Sequence, residues 1–137
     1  MNTSQEETIR RILGRDKTIA VVGLSHIPSR PGYYVPAYLK RQGYRIIPVN
    51  PNLETAMGEK AYPDLLAIPD RVDLVEIFRR PEHIPEIVEQ AIQIGARAIW
   101  MQLGIVNEGA AEAARLAGLD VVMDACMLVE HRRLSGS

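Results

Sequence analysis

The chain has 137 residues, a formal net charge of −1, 47% hydrophobic and 24% charged residues. That is globular composition at a length fit for one continuous core. A near-neutral charge supplies no global field to recruit nucleic acid, and apolar runs of only a few residues exclude a bilayer span. The opening MNTSQEETIRR lacks the apolar stretch of a signal peptide, and the single cysteine, Cys126, excludes an internal disulfide. Both suit a reducing compartment, so the cytoplasm is the expected location.

In chain order, Ser4–Leu13 opens with a capping-box spacing of Ser4 and Glu7, which predicts a leading helix ending at Gly14. Lys17–Leu24 is a β-branched run that reads as a strand buried on both faces. Ser25–Gly32, dense in Pro, Ser and Gly, predicts a loop. Tyr33–Gln42 follows as a helix in which Pro36 is tolerable only in the first turn. Tyr44–Val49 predicts the second strand, Asn50–Asn52 a turn, and the region near Lys60–Ala61 a strand stub. Pro63–Ile68 reads as a short helix and Val72–Phe78 as a strand. Pro81–Ile94 is amphipathic, with Ile84, Ile87, Val88, Ala91 and Ile92 on one face. Ala96–Gln102 is a strand, Glu108–Ala117 an alanine-rich helix and Leu119–Asp124 the last strand. His131–Ser137 reads as a polar tail.

Strands alternating with helices predict an α/β fold over residues 1–137: one Rossmann-like, doubly wound, mainly parallel sheet in the order 3-2-1-4-5, with room for an extra edge strand. Ligands of such sheets sit beyond the carboxyl ends of the strands. The segments brought to that edge are Gly23–Gly32, Asn50–Leu53, Arg79–His83, Gln102–Asn107 and Asp124–Met127. Arg30, Arg79 and Arg80 lie among them, and the first loop leads into a helix N-terminus with amides free for phosphate.

The dinucleotide fingerprint is incomplete. Gly23 stands alone, Ser25 and Pro28 replace the second and third glycines, and Asn50 replaces the acid at the end of strand two. NAD is therefore disfavoured. A phosphate-binding P-loop is also absent. His26, His83 and His131 show no metal-ligand spacing, so no metal is expected.

The strings VVGLSHIPSRPGYYV, GYRIIPVNP, VDLVEIFRRPEHIPEIVEQAI, AIWMQLGI and VVMDAC…EHRR, in this order, resemble the small stand-alone CoA-binding proteins. These are similar in turn to the CoA-binding domain of the succinyl-CoA synthetase α subunit. The resemblance implies coenzyme A or acyl-CoA as ligand, held by Gly23, Leu24, Ser25 and His26 after strand one. It implies Val49, Asn50 and Pro51 after strand two, and Gln102, Leu103 and Gly104 after the fifth strand. Arg30, Tyr33, Phe78, Arg79 and Arg80 are implied as part of the same pocket. Leu53 stands where the synthetase domain has a lysine, and Ala125 where the stand-alone proteins usually have arginine in an MD-x-C motif. The synthetase's catalytic histidine has no counterpart here, so binding without a catalytic group is the expectation. Two other readings stay open: an enzyme using NAD(P) or an acyl-CoA thioester through Cys126 and His131, and an interaction domain with a vestigial pocket. A protein partner is possible and not specified by the sequence.

Overall fold

The computed structural model describes residues 3–136 and their side chains from residue 5, so the Ser4 half of the capping spacing lies outside the described side chains. Helix α1 (Thr3–Arg15) leads into β1 (Thr18–Val22), α2 (Pro31–Arg41) and β2 (Arg45–Val49). After a small hairpin of β3 (Thr55–Ala56) and β4 (Glu59–Lys60) come β5 (Leu74–Ile77), α3 (Ile84–Gln93) and β6 (Ala98–Met101). Helix α4 (Glu108–Leu116), β7 (Asp120–Val122) and α5 (Met127–Leu134) complete the fold. Five strands form one parallel sheet in the order β2-β1-β5-β6-β7.

Side chains alternate across each strand, so the sheet feeds two cores. Ala20, Val22, Val75, Ile77, Ile99 and Met101 pack with α3 and with the alanines Ala110, Ala111 and Ala114 of α4. Ile19, Val21, Leu74, Ala98 and Trp100 pack on the opposite face with Ile9 and Ile12 of α1, Val35 and Leu39 of α2, and Met127 of α5. The Trp100 indole N–H donates to Ala125 O at 2.8 Å, which satisfies its only polar atom in the core. Helix α1 is also held by charge: Arg11 grips Asp120 through two hydrogen bonds of 3.1 and 2.8 Å, and Arg15 reaches the same carboxylate at 3.1 Å. These guanidinium partners hold the Asp120 carboxyl below its usual range.

The structure corrects four sequence-based expectations. Helix α2 starts at Pro31, so Pro36 lies in its second turn. Pro36 has no N–H for Gly32 O, four residues earlier, and that carbonyl accepts from Ser25 N at 3.1 Å instead. The stub near Lys60–Ala61 is not a third sheet strand, because β4 pairs antiparallel with β3. Among the described residues of this region, Tyr62 alone pairs its backbone with β2, donating to Pro48 O at 3.0 Å and accepting from Asn50 N at 2.9 Å. Extending that parallel ladder upstream needs an N–H at residue 48, which proline lacks. The helix expected over Pro63–Ile68 is a 3-10 turn at Leu65–Ala67, with Asp64 accepting from Ala67 N at 3.1 Å. Much of the expected polar tail is helical, since α5 runs to Leu134. No helix among the described residues is long and apolar enough to cross a membrane.

One core residue breaks the apolar pattern. Glu76 is fully buried on β5 between Val21 and Trp100, and neither carboxylate oxygen has a hydrogen-bond partner. Burial pushes its pKa up from 4.5 to about 8. The native state then holds a proton that the unfolded chain releases across this interval. The group's contribution is fully present below pH 4.5 and lost as pH rises through 8. In urea titrations at pH 5 and pH 8.5, the wild type should lose on the order of a few kcal/mol relative to Glu76→Gln. Equal pH slopes for the two proteins would show that this carboxyl keeps its ordinary acidity in the fold.

Candidate functional site

The carboxyl ends of β1, β5, β6 and β7 surround an open cavity of about 540 Å³. Its floor depends on the turn after β1. Gly23 has φ +88°, and a Cβ there would stand 2.7 Å from Phe78 O and 3.0 Å from Arg79 Cδ. Glycine is thus required for the left-handed backbone and for the closeness of β5's end. The loop that follows is tied internally: Ser25 N donates to Gly32 O, and Ser25 Oγ accepts from Ile27 N at 3.0 Å. Gly32 packs its Cα side toward this turn, where a Cβ would meet Gly23 O at 3.1 Å. The first turn of α2 therefore abuts the cavity, with Pro31 at its start and no side chain capping it.

Cations dominate the polar lining. Arg30, Arg79 and Arg80 border the cavity, and no aspartate or glutamate does. Among the described residues none of the three forms an ion pair, whereas Arg10, Arg11, Arg15, Arg45, Arg71, Arg97 and Arg133 all do. The remaining wall is largely apolar, from Pro31, Tyr34, Phe78, Pro81, Leu103, Ile105 and Cys126.

The wall after β6 and β7 is cross-linked by hydrogen bonds. Gly104 N donates to Asp124 Oδ1 at 2.7 Å, and Met127 N, in the first turn of α5, donates to Gln102 Oε1 at 3.2 Å. Asp124 itself adopts φ +56° and Gly104 φ +84°, a pair of left-handed turns that face each other. On the β5 side, Asn107 Nδ2 donates to Pro81 O at 3.1 Å while its Oδ1 caps α4 through Ala110 N at 3.0 Å.

The cavity brings together Gly23, Ser25, Arg30, Phe78, Arg79, Arg80, Gln102, Leu103 and Gly104 from the residues expected at the site. The others lie elsewhere. Leu24 is buried in the core, because the turn directs it beneath the loop. His26 and Pro51 are exposed outside the cavity. Val49 borders a smaller hollow of about 150 Å³ on the far side of Arg79, beside Asp64, His83 and Glu86. Asn50 is spent on its own turn, donating to Leu24 O at 2.9 Å and accepting from Asn52 N at 2.8 Å. It pins the β1 loop and leaves no acceptor for a ribose diol. Tyr33 is half-buried and does not line the cavity, whereas its exposed neighbour Tyr34 does.

The cavity also takes in Gly32, Ile105 and Cys126, which the sequence placed in the edge segments without assigning them to the CoA pocket. Gly32 was readable from its place at a helix start, but Cys126 depends on α5, whose N-terminal amide is satisfied by Gln102 of a distant strand. The suggested Cys126–His131 pair is not formed. His131 Nδ1 is 2.7 Å from Tyr38 OH, and the ring lines a separate hollow with Leu13, Gly14 and Tyr44. Burial and the nearby Lys17 ammonium hold the pKa of His131 below its ordinary value.

The chain as a whole is similar to known proteins. A CoA binding domain family matches residues 17–132. The uncharacterized protein YneT of Bacillus subtilis is 40% identical over 131 residues, covering 96% of this chain and 97% of its own length. An acetate–CoA ligase (ADP-forming) of Archaeoglobus fulgidus is 35% identical over 96 residues, covering 68% of this chain, which spans 14% of that larger protein. Among solved structures, a protein of Pyrococcus horikoshii OT3 superposes with a TM-score of 0.91 at 45% identity, covering 96% of this chain and 92% of its own. A second, from Thermus thermophilus, does so with 0.89 at 40% identity, covering 98% and 99%. By the extent of these matches, the chain belongs to the CoA-binding domain family.

Proposed function

We propose that this protein is a CoA-binding module whose ligand lies along the C-terminal rim of the sheet. The observation that carries the reading is the set of three unpaired arginines around a carboxylate-free cavity, beside the uncapped start of α2. CoA carries a pyrophosphate and a further 3′-phosphate, and arginine forks suit such groups. An unpaired guanidinium in water is well solvated, so the arginines gain most when a phosphate and the apolar wall together exclude solvent. Hydrogen bonds to charged groups contribute about 1.5–3 kcal/mol each. Two or three offset the absence of any net positive field. The apolar stretch from Tyr34 to Leu103 and Ile105 suits the less polar arm of the same ligand.

The rival ligand, NAD, asks for an acceptor at the end of β2, and Asn50 is occupied there. CoA asks for none. Thermal unfolding with and without ligand distinguishes them. At a hundredfold excess over the dissociation constant, CoA should stabilise the protein by about 2.7 kcal/mol, and NAD at equal concentration should leave it unchanged. Stabilisation by NAD with none by CoA would overturn the assignment.

Calorimetry then tests the cations. Arg79→Ala with Arg80→Ala should weaken CoA by at least about tenfold, the loss of one or more charge-assisted contacts. Raising salt should weaken the wild type more steeply than the double variant, because fewer ionic contacts remain to be screened. An unchanged affinity in the double variant would place the phosphates elsewhere.

A further inference from the structure

The cavity lining runs in a definite order along the rim: Gly23 after β1, Phe78 to Arg80 after β5, Gln102 to Ile105 after β6, and Cys126 after β7. Adjacent strands lie about 4.8 Å apart, so the distance along the rim from β1 to β7 is about 14 Å. The pantetheine arm of CoA contains two amides and is comparable to about four extended residues, which also reach about 14 Å. A CoA whose phosphates rest on the arginines near β1 and β5 therefore brings its sulfur to Cys126. This step rests on the CoA reading above.

A second observation lies midway. Gln102 is only 3% exposed, borders the cavity, and uses its Oε1 to accept from Met127 N. Its amide nitrogen has no hydrogen-bond partner among the described residues. That donor is not sealed in the core; on a nearly buried residue that borders the cavity, it is available to an acceptor arriving there. An amide carbonyl of the arm meets that need over β6, between the phosphate end and the thiol end.

We propose that Cys126 is a thiol–disulfide exchange site for CoA. The Cys126 thiolate attacks one sulfur of CoA disulfide. A bond forms between Sγ and that sulfur, the original S–S bond breaks, and the second CoA departs as a thiolate. The proton released by Cys126 is matched by the one the departing thiolate takes up from solvent. CoA disulfide is the only oxidised co-reactant, and the number of disulfide bonds is unchanged. The protein thereby holds CoA covalently under oxidising conditions and returns it when a reduced thiol attacks the mixed disulfide.

The chain has one cysteine, so any disulfide adduct detected by intact mass resides on Cys126. Reduced full-length protein is mixed with CoA disulfide or, at equal concentration, with glutathione disulfide. A single CoA adduct, reversed by dithiothreitol, should form at least about tenfold faster than the glutathione adduct. In the Arg79→Ala, Arg80→Ala variant the CoA rate should fall toward the glutathione rate. Equal rates for the two disulfides in the wild type would overturn the proposal, since they would describe an ordinary exposed thiol. Binding of reduced CoA in calorimetry without any adduct would overturn it while leaving the CoA-binding reading intact. If CoA neither binds nor reacts, both fall. Cys126→Ser should lose the adduct, and the wild-type rate comparison decides the matter even if that variant does not fold.

Discussion

The close approach of two strand ends governs this molecule. Gly23 leaves β1 with a left-handed backbone directly against the Phe78 carbonyl of β5. Any side chain at Gly23 would push the β1 turn away from β5 and move Arg79, whose stem touches the same space. The remaining contacts of the loop preserve this approach. Asn50 holds Leu24 O from the β2 side. Ser25 N takes the carbonyl that Pro36 cannot use, which fastens the loop to the second residue of α2. A proline that would weaken an ordinary helix here releases an acceptor for the binding turn.

Charge is distributed to match. Near the amino ends of the strands, arginines are consumed by carboxylates: Arg11 and Arg15 by Asp120, Arg45 by Asp70. Such partly exposed pairs contribute modestly to stability, and they anchor α1 and the edge strand without seeking other anions. At the carboxyl ends Arg30, Arg79 and Arg80 have no such partners among the described residues. A net charge of −1 therefore conceals a positive rim. Local pairing decides which cations are available, and a whole-chain sum does not report it.

How much of this was legible in the sequence follows from the range of the interactions involved. The β-branched runs and the amphipathic Pro81–Ile94 segment revealed the sheet and its covering helices, since periodicity is a local property. The glycine turn and the arginines beside strand ends were legible for the same reason. Helix α5 was not, because its first amide is satisfied by Gln102, 25 residues away. The short β3–β4 hairpin was equally obscure, since the missing donor at Pro48 limits pairing only once β2 is known to be an edge. Tyr33 and Tyr34 stand about 100° apart around α2, and which of them meets the cavity depends on how the helix is seated on the sheet. Asn50 was placed correctly at a strand end, yet its amide is spent on Leu24 O and Asn52 N, which spacing cannot reveal.

Among the described residues, the Glu76 carboxyl and the fixed donors at the cavity all lack a partner within the chain, and they resolve differently. Glu76 is sealed from solvent and does not line this cavity, and burial raises its pKa to about 8, which favours the protonated, uncharged form. Gln102 cannot discharge itself by gaining or losing a proton, and neither can an arginine at any physiological pH. Water serves them at the open cavity, and a phosphate or carbonyl that enters can take its place. That these groups border one cavity, while the self-resolving carboxyl lies apart from it, separates a feature of the core from a binding surface. The distinction rests on chemistry: a sealed titratable group adapts to its surroundings, whereas a fixed donor at an open cavity stays available to a ligand.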